Sequence, residues 1–169
     1  MKKICVTGAN GFIGKSLCKK LILSKYHVTG LTRFTNLKED IYGMKQIQIG
    51  DLVLKPDLKN ILKGQECIIH CAGKAHLMHE KKEDTALYYS INTEATKFIA
   101  EQAVKAGVKR FIFLSSIKVN GENTDGISNK IFQNNDIPDP KDDYAKSKLE
   151  AEKKLKEISS KTSLEVVII

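Results

Sequence analysis

The sequence predicts a doubly wound α/β domain: a parallel sheet with helices on both faces. Short apolar runs alternate with segments of helical spacing from end to end. Strands separated by helices run parallel, because each crossover must carry the chain back, and right-handed crossovers place helices on both sides of the sheet. In addition, Gly8, Gly11 and Gly14 recur every third residue between the first apolar run and the first helical segment.

Each element follows from its own pattern. Residues 2–8 read as a buried strand. Phe12, Ile13, Leu17, Leu21 and Ile22 keep a helical rhythm over 12–24. Residues 27–33 and 45–52 are the second and third strands. Pro56 stands where a helical turn can begin, with Leu58, Ile61 and Leu62 on one face. Residues 65–73 form a fourth strand. Leu87, Ile91, Ala95, Phe98, Ile99 and Val104 give a helix over 84–106, capped by Gly107. Residues 109–116 are the fifth strand. A loop rich in Asn, Asp, Gly and Pro leads to a helix over 142–158, and 163–169 is a sixth strand. The 169 residues suffice for one domain with a real core, not for two.

Composition narrows the function. Lys and Arg total 28 against 20 acids, a formal charge of +8. The lysines are scattered, with no basic block, no interleaved aromatics and no zinc-finger spacing, which argues against a nucleic-acid binder. No apolar stretch is long enough to span a membrane, and the start reads as a strand rather than a secretory signal, so a cytoplasmic protein is expected. Cys5, Cys18, Cys67 and Cys71 form no C-x-x-C pair and read as small buried hydrophobes in a reducing compartment. His76 and His79 lack a third ligand type nearby and read as surface or substrate-loop residues, so no metal is expected.

The glycines point to a ligand. Between a strand and a helix, Gly8 takes turn dihedrals that a side chain forbids. Gly11 leaves room for a pyrophosphate, and Gly14 lets the helix pack close to the sheet. The helix N-terminus then offers N–H groups and partial positive charge to phosphates. The second strand ends GLTRF, with no acid before Glu39 to accept a ribose 2′-hydroxyl. Arg33 could instead fork onto a 2′-phosphate or lie against adenine, which leans toward NADP(H) over NAD(H). Asp51, closing the third strand, could accept the adenine amino group or cap the next turn.

Two further patterns suggest chemistry. In YAKSK, Tyr144 and Lys148 are four apart on a predicted helix and share a face. An ammonium beside a phenol favours phenolate, so the pair can move a proton near neutral pH. Ser115 and Ser116 lie at the C-terminal end of the fifth strand, the edge where open α/β sheets bind ligands.

These motifs together resemble an extended short-chain dehydrogenase/reductase of the NAD-dependent epimerase/dehydratase family. VTGANGFIG is similar to its T-G-x-x-G-x-x-G loop, GDL (50–52) to its adenine-site acid, and YAKSK to its Tyr-x-x-x-Lys pair. HCAGK (70–74) resembles its H-x-A-A stretch, with Gly73 in place of the second alanine. NTEATKFIAEQAVKAGVKRFIFLSSIKVNG resembles its central helix and fifth strand, with Asn92 the structural asparagine. The resemblance runs the length of the chain. It implies a Rossmann fold binding NAD or NADP through Gly8, Asn10, Gly11, Phe12, Ile13, Gly14, Arg33, Asp51, Leu52, Cys71, Ala72, Gly73, Asn92, Ser115, Tyr144 and Lys148.

HCAGKAHLMHE and SSIKVNGE are most similar to the nucleotide-sugar branch, which makes surface-polysaccharide precursors by 4-epimerisation or 4-keto reduction of UDP-sugars. The resemblance implies that Tyr144 exchanges a proton with sugar O4. Lys148 lowers the Tyr144 pKa and binds the nicotinamide ribose. Ser116 hydrogen-bonds O4, and Ser115 sits by the cofactor. Family members are usually about twice as long, so 1–169 is expected to be the cofactor half of such an enzyme, without its substrate domain and weak or inactive alone. They often dimerise through the helices expected at 84–106 and 142–158. The alternative is a non-catalytic dinucleotide-binding module or sensor; retention of Ser116, Tyr144 and Lys148 favours the enzyme.

Overall fold

A computed structural model describes residues 2–34, 41–74, 84–122, 131–133 and 135–169. Its strands are β1 (Lys3–Thr7), β2 (His27–Thr32), β3 (Met44–Gln48), β4 (Cys67–His70), β5 (Arg110–Phe113) and β6 (Glu165–Ile168). Its helices are α1 (Phe12–Leu23), α2 (Lys59–Leu62), α3 (Asp84–Tyr88), α4 (Ala95–Ala106) and α5 (Asp143–Lys161). The six strands form one parallel sheet in the order β3-β2-β1-β4-β5-β6. The order reverses between β1 and β4, where Thr7 pairs with His70, and this opens a crevice beyond the carboxyl ends of those two strands.

Alternation along the strands fills two core layers. Cys5, Ile68 and Phe111 face one side with Leu62 of α2, Ile99 and Ala103 of α4 and Leu155 of α5. Val6 and Ile69 face the other side, where α1 seals them with buried Cys18 and partly buried Leu17 and Leu21. The period-2 burial is what a sheet covered on both faces requires. The doubly wound reading therefore stands.

The element boundaries differ in instructive ways. The helix expected over 84–106 is not uniform: a wider, π-type turn over Tyr89–Glu94 separates α3 from α4. Periodicity alone cannot reveal the extra residue such a turn inserts. Gly107 ends α4 at φ 73°, as expected of a C-cap. The third strand stops at Gln48, so Asp51 lies beyond the sheet rather than closing it. Its carboxylate caps the next turn, accepting from Val53 N at 3.0 Å. β6 forms one edge of the sheet, with Val166 and Ile168 packed against the core.

All four cysteines are free; Cys5 and Cys18 are buried, and burial pushes each thiol up to about 12. Among the described residues no group of His, Cys, Asp and Glu is placed to hold a metal ion, and no helix is long and apolar enough to cross a membrane. His76 and His79 lie outside the described residues.

Candidate functional site

The chain leaves β1 at Thr7 and turns at Gly8, whose φ is +64°. Gly11 N donates to Gly8 O at 2.9 Å and α1 begins at Phe12. A Cβ at Gly8 would stand 2.8 Å from Ala72 N, and one at Gly14 only 2.1 Å from Gly8 O. Both positions exclude any side chain. The first turn of α1 has N–H groups with no intrahelical acceptor. Gly11, its N-cap, brings no side chain to them, and the turn holds no acid. The helix end is thus left to an anion from outside, and the N-terminal dipole favours one.

A cleft of about 600 Å³ opens beside this loop. Gly8, Asn10, Gly11, Arg33, Asp51, Leu52, Cys71, Ala72 and Gly73 all line it, joined by Thr7, Leu31, Thr32, Ile49, Gly50, Lys74, Leu87 and Ile91. Arg33 is exposed at the end of β2 with its guanidinium 5.0 Å from the Phe34 ring centroid. Phe12, Ile13 and Gly14 start α1 next to the cleft, the first two with exposed side chains. The cleft and the helix end beside it offer a seat to a diphosphate-bearing ligand.

Asn92 stands behind the cleft on the wide turn, 1% exposed. Its Oδ1 accepts from Lys74 N at 2.8 Å, and its Nδ2 donates to Lys74 O and to Ser147 Oγ, both at 3.1 Å. One amide therefore ties the segment after β4 to α5.

Below it runs a chain that sequence reasoning missed. Ala72 N donates to Thr7 Oγ1, which lies 2.6 Å from His70 Nδ1; His70 Nε2 lies 3.0 Å from Thr96 Oγ1, which donates to Asn92 O at 2.6 Å. Since the Thr96 hydroxyl proton goes to Asn92 O, Thr96 must accept from His70 Nε2–H. Nδ1 is then the acceptor for Thr7. His70 is fully buried and neutral, with burial pushing its pKa down to about 3. The signal was the single imidazole in the apolar run CIIHC.

The candidate reacting residues gather at the ends of β5 and α5, outside the lining of the cleft. Ser116 caps a short turn over Ile117–Val119, accepting from Lys118 N at 3.3 Å. Tyr144, in the first turn of α5, meets the buried Tyr88 ring edge-on at 5.9 Å. Lys148 is 6% exposed; its Nζ donates to Leu114 O at 2.5 Å and lies 4.1 Å from the Phe113 ring centroid. Burial lowers the Lys148 pKa to about 8, partly opposed by the charge of Glu152. The Ser115 hydroxyl donates to Glu152 Oε1 at 2.5 Å. Glu152 and Tyr88 were also missed; the i+4 step from Lys148 to Glu152 in KSKLE was the available signal.

Comparison with known proteins bears on the family and the fold. The model of the NAD dependent epimerase/dehydratase family matches residues 4–169. A UDP-glucose 4-epimerase of Vibrio cholerae is 44% identical over 170 residues, covering 99% of this chain and 50% of that protein. The structure of a UDP-glucuronic acid 4-epimerase from Bacillus cereus, in complex with UDP-glucuronic acid and NAD, superposes with a TM-score of 0.85 at 26% identity, covering 98% of this chain and 55% of that one. MoeE5 in complex with UDP-glucose and NAD gives a TM-score of 0.81 at 28% identity over 98% of this chain and 52% of that one. The chain spans about half the length of the relatives it matches. On these matches and on its fold, the chain belongs to the NAD-dependent epimerase/dehydratase family.

Proposed function

We propose that this chain is the cofactor half of an NAD(P)-dependent nucleotide-sugar enzyme that acts at sugar C4, as a 4-epimerase or 4-keto reductase of a UDP-sugar. The carrying observation is the pairing of an uncapped α1 N-terminus, cradled at Gly8 and Gly14, with Ser116, Tyr144 and Lys148 at the same carboxyl edge of the sheet. The relatives named for UDP-sugar 4-epimerisation support the substrate class. The resemblance of SSIKVNGE and HCAGKAHLMHE to the polysaccharide-precursor branch supports the cellular role.

The α1 N–H groups would hold the diphosphate, and Asp51 and Leu52 the adenine. When bound, the nicotinamide supplies hydride transfer at C4. Tyr144 would move the proton at sugar O4. Lys148, set one helical turn along the same face, would stabilise the phenolate and hold the cofactor ribose. Ser116 would hydrogen-bond O4. Asn92, by clamping Lys74 to Ser147, would fix α5 against the cleft.

Arg33 inclines the reading toward NADP(H), since its exposed guanidinium borders the cleft where a 2′-phosphate would lie. The structures compared above carry NAD, so the two cofactors are the two arms of a binding test. The UDP-sugar pocket would be completed by the half that the relatives carry and this chain does not span. Pairing through α4 and α5 would give a homodimer.

The test of the chemistry is Tyr144→Phe in a form extended by that second half. Turnover of a UDP-sugar should fall by about a hundredfold or more, the scale of a lost general acid–base group. Unchanged turnover would remove the proton-transfer role.

A further inference from the structure

Glu152 is a buried carboxylate that the proposed chemistry does not use. It is 9% exposed, on α5, one turn after Lys148. One oxygen accepts from Ser115 Oγ at 2.5 Å; the other lies 3.7 Å from Lys156 Nζ, whose side chain is 66% exposed. Lys148 donates to the carbonyl of Leu114, the residue before Ser115. Two opposite charges at i and i+4 therefore hold adjacent residues where the chain leaves β5, Lys148 on Leu114 and Glu152 on Ser115.

The groups facing Lys148 come from two elements. On the β4 side stand His70, neutral, and Cys71, whose thiol burial pushes up to about 11. On α5 stand Tyr144, one turn before Lys148 on the same face, and Glu152, one turn after it and itself facing Lys156. Of these, Glu152 supplies the negative charge. A lysine buried this deeply loses its proton readily unless a carboxylate opposes the loss.

We propose that Glu152 is a positioning residue of the lysine site: its carboxylate anchors Ser115 to α5 and serves as the counter-charge that keeps the Lys148 ammonium protonated in its buried seat. Its meaning for catalysis rests on the role proposed above for Lys148; the electrostatic link does not.

The test is an NMR titration of this chain, following lysine Cε, with the Lys148 signal identified by its loss in Lys148→Arg. Glu152→Gln keeps the shape and an oxygen to accept from Ser115 but removes the charge. The Lys148 midpoint should fall by about one pH unit, a tenfold drop in its charged-to-neutral ratio, and Glu152→Asp should restore part of it. A purely structural Glu152 would leave the midpoint in place, and that result overturns the proposal. If Glu152→Gln does not fold, the wild-type chain decides: the Glu152 Cδ signal must shift as Lys148 loses its proton, and a Cδ signal that ignores that step also overturns it. Neither readout depends on turnover, so failure here and failure of Tyr144→Phe are separate results.

Discussion

Asp142 holds Lys118 with one carboxylate oxygen, at 2.5 Å, and caps α5 with the other, accepting from Ala145 N at 2.6 Å. Lys118 lies two residues past Ser116, and Asp142 two before Tyr144. One half-buried ion pair thus spans the two segments that carry candidate reacting groups. Asp142→Ala should cost about 1 kcal/mol for the cap alone, and more once Lys118 is released. Asp142→Asn, which still caps, should cost less. Urea unfolding of both variants orders them; equal losses would show that the ion pair, not the cap, is what Asp142 contributes.

The glycines make a sharper contrast. Gly14→Ala would drive a methyl into Gly8 O, and backbone on both sides leaves it nowhere to go. We expect a loss of about 3 kcal/mol. Gly64 also has positive φ, 78°, but a Cβ there meets nothing within 4 Å. Gly64→Ala should cost only the left-handed strain, about 1 kcal/mol. Equal stabilities for the two variants would contradict the close packing of the α1 loop.

His70 makes the fold acid-sensitive. Its folded pKa, near 3, lies below the usual 6.5, because burial opposes the charge. In that window the unfolded chain binds a proton that the folded chain refuses, so stability is full above about 6.5 and falls as the pH drops. The slope should approach about 1.4 kcal/mol per pH unit. Between pH 6.5 and 5, before most carboxylates titrate, His70→Gln should flatten it. An unchanged slope in urea unfolding at these pH values would place the acid sensitivity elsewhere.

Local patterns carried most of the architecture. Alternating apolar runs gave the strands, and the spacing of Gly8 and Gly14 gave the loop whose tightness the distances display. The nine cleft-lining residues expected from Gly8 to Gly73 come together because they all sit at carboxyl ends of strands, a consequence of parallel topology. What local patterns could not supply was pairing at a distance. Ser115 and Glu152 are 37 residues apart, and nothing near either one names the other. The His70 chain joins β1, β4, α4 and the wide turn, and needs four elements in place before it exists. The π-type turn at Tyr89–Glu94 escaped for a related reason: its Asn92 serves Lys74 and Ser147, not the helix period.

The cleft at the α1 N-terminus is proposed to hold a nicotinamide dinucleotide. The deciding measurement is titration of this chain with NADPH and with NADH, following nicotinamide fluorescence. Saturable binding, tighter for NADPH, is the expected result, with the 2′-phosphate on Arg33. Tighter NADH binding would keep the cleft and remove that role from Arg33. Absence of saturable binding of either dinucleotide to the folded chain would show that the cleft is not a dinucleotide site.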